Sequence, residues 1–307
     1  MKTGRIWIAL LCAVCILGGV LLLTGPARPA EQTEALAEAE TEQPAAPAEA
    51  ENEPLRVTVM DVGKGDCILL SKGGSHVMID TGYEETADRV IAAMRRIGAD
   101  HLDALIITHY DKDHVGGAKA IIGNIPVGQI YLPGYEGEGK QYSSMAYTVQ
   151  QSGVPAAKVT EDISFTLSGV SYEIFATPLS FIPGEDGKEG NDNDVSLAVA
   201  VHHGEDSLLF PGDIEIDGIA AFLAAGHGTY DVVKMPHHGQ NEKNSDEFIE
   251  QVKMKIAVIT DSEEEPVKKK MLKMLGAIGA DVYCSSANGR ITITCTGDGT
   301  YDVATEK

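Results

Sequence analysis

Two histidines and two aspartates lie within six residues, at His109, Asp111, Asp113 and His114, and two glycines follow shortly after them. The segment comes directly after the apolar run 104–107, which is typical of a strand that ends at the edge of a sheet. Ionisable side chains in that place cost free energy unless they are solvated, paired or bound to an ion. Imidazole and carboxylate groups are common ligands of zinc, manganese and iron, so the pattern indicates a metal site.

Three further polar clusters follow apolar runs, and each has a glycine close by. Asp80 ends the run VMID, Asp213 follows LLFPG, and the pair His237 and His238 follows VVKMP. A single cluster of this kind is explained by ordinary turn chemistry. Four of them, with this share of histidine and aspartate, predict side chains that converge on one shared metal site.

The elements that must position these side chains alternate short apolar strands with amphipathic helices from residue 55 onward. Helical periodicity covers 85–98, 245–254 and 266–279, among others. Strands followed by helices occur twice along the chain. This order predicts an α/β protein built as an αββα sandwich, with two packed mixed sheets and helices on the outer faces.

The first 54 residues differ in composition from the rest of the chain. Lys2 and Arg5 precede an uncharged apolar run at 6–23, which predicts a signal peptide or a retained signal anchor over 1–24. Residues 25–54 are rich in alanine, glutamate and proline and predict a disordered acidic linker. Either fate of the first segment places the domain 55–307 on the extracellular side of the membrane, anchored through that segment or secreted.

The net charge restricts the class of partner. The chain carries a formal charge of -22, of which residues 31–54 contribute -8 and the N-terminal basic residues +3, which leaves -17 for 55–307. A domain this acidic repels polyanions at long range, and a broad nucleic-acid groove is normally basic. A small substrate or a short strand held by metal ions is compatible with this charge.

Six segments spread over most of 55–295 resemble the metallo-β-lactamase-fold hydrolases, in particular the extracellular hydrolase domain of ComEC-like competence DNA-uptake proteins. They are DVGKGD at 61–66, IDTG at 79–82, HYDKDHVGG at 109–117, NDNDVS at 191–196, FPGD at 210–213 and KMPHHG at 234–239. The resemblance implies the metallo-β-lactamase fold, with a site for two divalent metal ions, manganese or zinc, at one edge of the sheets.

By matching motif, the resemblance assigns seven residues as metal ligands, which are His109, Asp111, Asp113, His114, Asn193, Asp213 and His237. Asp213 would bridge the two ions, which lets them lie within about 4 Å of each other and activate a water as nucleophile. Asp111 stands where the family more often has histidine, and this oxygen-rich set favours manganese. The family's third histidine is missing, so Asn193 is the candidate in its region and Asp194 the alternative.

Several neighbouring residues have two open interpretations. Asp113 and His238 are predicted to act in catalysis, although His238 could instead cap its loop. Asp80 either supports the metal site or caps its strand, and Asp66 either takes part in the site or only shapes a glycine turn. Lys234 is expected to be solvated.

The predicted chemistry does not fix the substrate. Water activated by metal ions can hydrolyse phosphodiesters, lactams and other carboxylic derivatives, and a fold hosts many activities. The resemblance favours a phosphodiesterase or nuclease, with single-stranded DNA or a small phosphodiester as substrate. The alternatives are a hydrolase of a lactam or other carboxylic derivative, and a non-catalytic module that binds DNA or a cell-surface partner.

Overall fold

The computed structural model describes residues 53–176 and 192–307. The predicted signal segment 1–24 lies outside the described residues, as does the predicted linker 25–54 apart from its last two residues. Within the described ranges, no helix is long and apolar enough to cross a bilayer.

The described chain contains strands and helices in alternation. The strands are β1 (Leu55–Val59), β2 (Ile68–Lys72), β3 (Ser75–Ile79), β4 (Leu102–Ile106), β5 (Val127–Pro133), β6 (Ala156–Val159), β7 (Ile163–Leu167), β8 (Val170–Phe175), β9 (Ala198–His203), β10 (Asp206–Phe210), β11 (Val232–Lys234), β12 (Ile256–Ile259), β13 (Asp281–Cys284), β14 (Ile291–Cys295) and β15 (Tyr301–Thr305). The helices are α1 (Ala87–Arg96), α2 (Lys112–Val115), α3 (Ala118–Asn124), α4 (Gly139–Ser152), α5 (Ile216–Ala225), α6 (Ser245–Val252), α7 (Lys269–Ala277) and α8 (Ser285–Asn288).

The strands form two sheets that are both mixed. The first has the order β15-β14-β1-β2-β3-β4-β5-β6 and the second the order β13-β12-β11-β10-β9-β8-β7. In the first sheet, β3 to β6 run parallel, and the other neighbours are antiparallel. In the second, β10 to β13 run parallel, and β7 to β10 are antiparallel.

Alternation of side chains along the strands divides the core into three layers. Val57 and Val199 belong to the layer between the sheets, which both sheets line. Met94 of α1 is buried in a second layer, with residues of the first sheet, and Phe248 of α6 is buried in a third, with residues of the second sheet. Complete burial of such a side chain contributes roughly 1.5–3 kcal/mol. The predicted αββα sandwich is confirmed.

The fold brings the ends of five strands to the site. Asp80 follows β3, the segment 108–114 follows β4, Asp213 follows β10, His238 follows β11 and Thr260 follows β12. In each parallel set, β3 with β4 and β10 with β11 and β12, the carboxyl ends lie at the same edge. Such an edge is where α/β sheets place their ligands.

Candidate metal centre

Close packing of backbone explains the glycines around the histidine and aspartate loop. A Cβ atom on Gly117 would lie 2.5 Å from the carbonyl oxygen of Thr81, at the end of β3. A Cβ atom on Gly65 would lie 2.6 Å from the carbonyl oxygen of Asp113. Since no side chain fits at these distances, glycine is required where the loops pass each other. The DVGKGD turn therefore packs directly against the segment that carries the predicted ligands.

Asp80 fixes the orientation of His114. The buried carboxylate accepts hydrogen bonds from the backbone N–H and the Oγ1 of Thr108, at 2.8 and 2.7 Å, and from Nδ1 of His114 at 2.8 Å. With Nδ1 engaged, Nε2 of His114 faces Asp213 at 3.2 Å. A carboxylate behind an imidazole is the usual support of a metal-ligating histidine. The geometry therefore favours the supporting role of Asp80 over a strand cap.

His238 is held in the same way. Its Nδ1 lies 2.9 Å from Oγ1 of Thr260, and that hydroxyl donates its own hydrogen to Oδ1 of Asp66 at 2.7 Å. The hydroxyl must therefore accept from His238, which places the proton on Nδ1 and turns Nε2 toward Asp213. Asp66 thus orients a histidine in addition to shaping its glycine turn.

Four side chains from three loops converge at this edge, and we call them the central cluster: Asp113, His114, Asp213 and His238. Oδ2 of Asp213 lies 3.2 Å from Nε2 of His114 and 2.9 Å from Nε2 of His238. Oδ2 of Asp113 lies 3.3 Å from the same Nε2 of His238. The four residues offer one ligand atom each within 4.8 Å of one another.

Charges in the central cluster shift the pKa values in opposite directions. Burial acts to lower the pKa of His114, but the carboxylates of Asp213 and Asp80 raise it well above its ordinary value. Burial acts to raise the pKa of Asp113, but the close contact with His238 and the positive charges of His238 and His114 lower it to about 2. Opposite charges thus hold the cluster together, and a divalent cation can take the place of the imidazole protons.

The buried nitrogen atoms fit a metal ion. Nε2 of His109, of His114 and of His238 is shielded from solvent, and none makes a hydrogen bond of normal geometry within the described ranges. Leaving such an atom unsatisfied costs about 1–3 kcal/mol, so three in one place call for a further partner. Imidazole and carboxylate together suit zinc, manganese or iron.

The structure brings His238, and not the predicted ligand His237, into the central cluster. Both residues adopt left-handed backbone, with φ of 45° and 55°. Their rings consequently diverge, with centroids 6.0 Å apart and planes at 60°. His238 is 3% exposed and joins the central cluster, whereas the side chain of His237 is 19% exposed and faces two glutamates.

Lys234 is fully buried, contrary to the expectation of a solvated side chain. Its Nζ lies 2.5 Å from Oδ2 of Asp66 and 2.9 Å from Oδ1 of Asp213, and it donates to the carbonyl oxygen of Gly212 at 3.0 Å. Burial acts to lower the pKa of Lys234, but the two carboxylates raise it above its ordinary value. Lys234 engages Oδ1 of Asp213, so Oδ2 is the oxygen that faces the central cluster.

Two predicted ligands lie beside the central cluster. His109 is fully buried, and its ring centroid lies 4.1 Å from that of His114. Its Nε2 is 3.9 Å from Oδ2 of Asp111, whose side chain is 49% exposed. Burial and the nearby carboxylates of Asp192 and Asp113 raise the pKa of Asp111 to about 6. The structure thus brings His109 and Asp111 together next to the central cluster.

The two candidates for the missing histidine have different surroundings. Nδ2 of Asn193 donates to Oε1 of Glu215 at 2.9 Å, so a cation would use its amide oxygen. Oδ1 of Asp194 accepts the backbone N–H groups of Glu215 and Gly218, at 2.9 and 2.8 Å. Asp194 therefore caps the start of α5 through Oδ1.

Comparison with known proteins concerns the family and the fold of this chain. The family model of the metallo-beta-lactamase superfamily matches residues 60–260. Competence protein ComA of Neisseria gonorrhoeae is 28% identical over 205 residues, which are 66% of this chain and 26% of that protein. ComE operon protein 3 of Bacillus subtilis is 25% identical over 260 residues, which are 76% of this chain and 32% of that protein. The chain thus spans about a quarter to a third of the length of these relatives.

A solved structure shows the same fold. Tm1679, described as a metal-dependent hydrolase of the beta-lactamase superfamily, aligns with a TM-score of 0.53 at 15% sequence identity. The alignment covers 77% of this chain and 98% of Tm1679. At this identity the likeness concerns the fold alone.

Proposed function

Because this chain belongs to the metallo-β-lactamase superfamily, we propose that it is a metal-dependent phosphodiesterase that cleaves single-stranded nucleic acid at the central cluster. The observation that carries this proposal is the convergence of buried imidazole nitrogens on Oδ2 of Asp213. Within the described ranges, the Nε2 atoms of His114 and His238 face only the carboxylates of Asp113 and Asp213, without a hydrogen bond of normal geometry. A divalent cation at this point satisfies them and supplies the chemistry that hydrolysis requires.

We infer that Asp113, His114, Asp213 and His238 hold one divalent cation, and that His109 and Asp111 hold a second beside it. Asp213 is the residue the two would share. When bound, such ions activate a water and polarise an oxygen of the substrate. Half of these six ligands are carboxylates, and this share of oxygen donors favours manganese over zinc relative to an all-histidine set.

The residues that contact the proposed ligands from behind orient them for metal binding. Asp80 and Thr260 keep the protons of His114 and His238 on Nδ1, so that both present Nε2. Lys234 holds one oxygen of Asp213 in place. Such outer partners typically account for 10- to 100-fold in metal affinity or activity. This arrangement supports a working metal site over a non-catalytic scaffold.

A cavity beside His238 supports a phosphate-containing substrate. Its volume is about 230 Å³, and its wall includes Lys64, Glu265 and Lys268. Lys64 pairs with Glu265 of the same wall at 2.8 Å, so Lys268 is the side chain that gives this cavity a net positive charge in an acidic domain. Ligand pockets commonly measure roughly 300–1,000 Å³, so this smaller cavity suits a single base or sugar of an extended strand. The resemblance of the six motif segments to ComEC-like DNA-uptake proteins also favours a nucleic-acid substrate.

We place the reaction on the extracellular side of the membrane. The apolar run at 6–23 and the acidic segment after it support an exported domain, anchored through that run or secreted. Single-stranded DNA outside the cytoplasm would be within reach of such a domain. Fractionation of cells that express the chain, with protease added from outside, tests this placement.

The activity is tested with the full chain stripped of metal by a chelator and then given Mn²⁺, Zn²⁺ or Mg²⁺. The substrates are a short single-stranded DNA and bis(p-nitrophenyl) phosphate, with a lactam and a thioester in parallel. We expect Mn²⁺-dependent cleavage of the DNA and the phosphodiester, lost in Asp113→Asn. Cleavage of the lactam or thioester alone would replace the phosphodiesterase proposal, and metal-loaded protein that binds DNA without cleaving it would indicate a binding module.

A further inference from the structure

A second group of metal-ligating side chains lies next to the central cluster, and we call it the rim cluster: Glu215, His237 and Glu242. These residues come from two separate segments. Glu215 precedes α5, whereas His237 and Glu242 both lie in the connection between β11 and α6. The fold thus brings the carboxylate of Glu215 to an imidazole and a carboxylate from another loop.

The distances within the rim cluster suit a metal ion. Nδ1 of His237 lies 3.0 Å from Oε1 of Glu215 and 3.7 Å from Oε1 of Glu242. The three ligand atoms all lie within 4.8 Å of one another. Ligand atoms around a tetrahedral ion with bonds of roughly 2.1 Å are about 3.4 Å apart. Small movements of the two glutamates would therefore complete a coordination sphere.

Burial and pairing also point to a ligand. Nδ1 of His237 is shielded from solvent and makes no hydrogen bond of normal geometry in the described part of the chain. Glu215 is oriented, because Asn193 donates to its Oε1 at 2.9 Å and Asp194 accepts its backbone N–H. The side chains of His237 and Glu242 are each 19% exposed, which leaves room for water or an anion at the open side.

The net charge of the rim cluster favours a bound cation over a simple ion pair. Two carboxylates face a single imidazole, so the rim cluster keeps a net negative charge even when His237 is protonated. The surrounding domain is itself strongly acidic. A divalent cation neutralises both carboxylates at once and satisfies the buried imidazole nitrogen.

We propose that Glu215, His237 and Glu242 bind a divalent transition-metal ion, Zn²⁺ or Mn²⁺, at a site separate from the central cluster. The rings of His237 and His238 are 6.0 Å apart, so this ion lies next to the catalytic centre. There it adds positive charge where an anionic substrate binds. Only this substrate role rests on the proposed function, since the ion site itself does not.

The test counts bound ions. The full chain is stripped with a chelator and dialysed against Zn²⁺ or Mn²⁺, and the ions per chain are measured by mass spectrometry and calorimetric titration. Wild type is compared with Glu242→Gln at the rim, Asp113→Asn at the centre, and the double variant. Glu250→Gln is the matched control, because this exposed glutamate lies on α6 away from either cluster.

We expect Glu242→Gln to lose one ion, or to bind it more than about 10-fold more weakly, while Glu250→Gln matches wild type. Asp113→Asn should lose a different ion, and the double variant both. His237→Asn is a second rim variant, because asparagine tolerates the left-handed backbone with φ of 45°. Folding of every variant is checked by circular dichroism.

Equal numbers and affinities in wild type, Glu242→Gln and His237→Asn would overturn the proposal and leave an ion pair only. Loss of all ions from folded Asp113→Asn would also overturn it. Failure of the proposed function looks different: no substrate is cleaved, while Glu242→Gln still lacks one ion relative to wild type.

Discussion

The central cluster and the rim cluster share one turn of chain, but they differ in what lies behind their ligands. In the central cluster, Asp80, Thr260 and Lys234 each hold one ligand from behind, and all three are buried. In the rim cluster, Asn193 holds Glu215, and the glutamate side chains are about one-fifth exposed. Buried supporting residues fix the positions of the metal ligands, whereas partly exposed ligands let the bound ion exchange with solvent. We therefore expect tight binding and chemistry at the centre and weaker binding at the rim.

The largest effect on stability is expected from Lys234→Met. The substitution leaves Asp66 and Asp213 as buried carboxylates without their shared cation, which typically costs about 3–5 kcal/mol of unfolding free energy. Urea unfolding of the metal-free protein measures it. The matched control is Lys255→Met, because Lys255 is 58% exposed and pairs with Asp231 at 3.1 Å, an interaction worth less than about 1 kcal/mol. Equal losses in both variants would contradict the role of the buried lysine.

The next largest effect concerns turnover. Asp113→Asn keeps the shape of a central ligand and removes its charge, so hydrolysis should fall by more than the roughly 100-fold that loss of an outer partner costs. Asp217→Asn makes the same change at an exposed position of α5 and should leave the rate unchanged. Rates at saturating Mn²⁺ are compared. A rate in Asp113→Asn close to wild type would exclude the central cluster as the site of reaction.

A smaller effect is expected from Asp80→Asn. This substitution alters the hydrogen bond that supports His114 but leaves every proposed metal ligand in place. The amide can no longer accept the Nδ1 proton and the Thr108 hydrogen bonds as a carboxylate does. Affinity for Mn²⁺ should weaken by about 10- to 100-fold, measured by calorimetry. Unchanged affinity would mean that Asp80 serves the strand end only.

The smallest expected effect is on the pH dependence of stability. The metal-free protein should lose stability as the pH rises, and bound metal should reverse this trend. The raised pKa values of His114 and His238 mean that their protons stabilise the folded metal-free protein at low pH. This contribution is lost as the pH rises through the pKa values that His114 and His238 have in the folded protein. The melting temperature of chelated protein should therefore fall from pH 6 to pH 9. About 1 kcal/mol corresponds to roughly 2–4 °C at this size. With Mn²⁺ the trend should reverse, because the ion displaces these protons more easily at high pH.

Local pattern predicted the sheets well except at their edges. The apolar runs that became β4, β10 and β11 were visible because both faces of these strands are buried. β6 and β15, which form the two edges of the first sheet, are not marked by such apolar runs. Three of the four residues of β6 are exposed, and β15 contains no fully buried residue, so neither strand requires a continuous apolar sequence.

The sequence motifs predicted which segments form the candidate site, but they did not predict which side chains contact each other there. The partners Asp66 and Lys234 lie 168 residues apart, and no local pattern connects them; the only signal was a lysine placed inside the apolar run VVKMP. The choice between His237 and His238 depends on two left-handed backbone conformations, which the residue types do not reveal. Glu215 of the rim cluster carries no motif, and only the folded chain brings it to His237 and Glu242, which share one loop.

The most direct measurement titrates Mn²⁺ into the chelated full chain and records bound ions and cleavage of single-stranded DNA in the same samples. Wild type and Asp113→Asn are run side by side. We predict that cleavage rises as the ions lost in Asp113→Asn are bound, and that the variant stays inactive at every Mn²⁺ concentration. Cleavage by the metal-free chain, or cleavage that does not follow occupancy of the central cluster, would contradict the assignment of hydrolysis to this site.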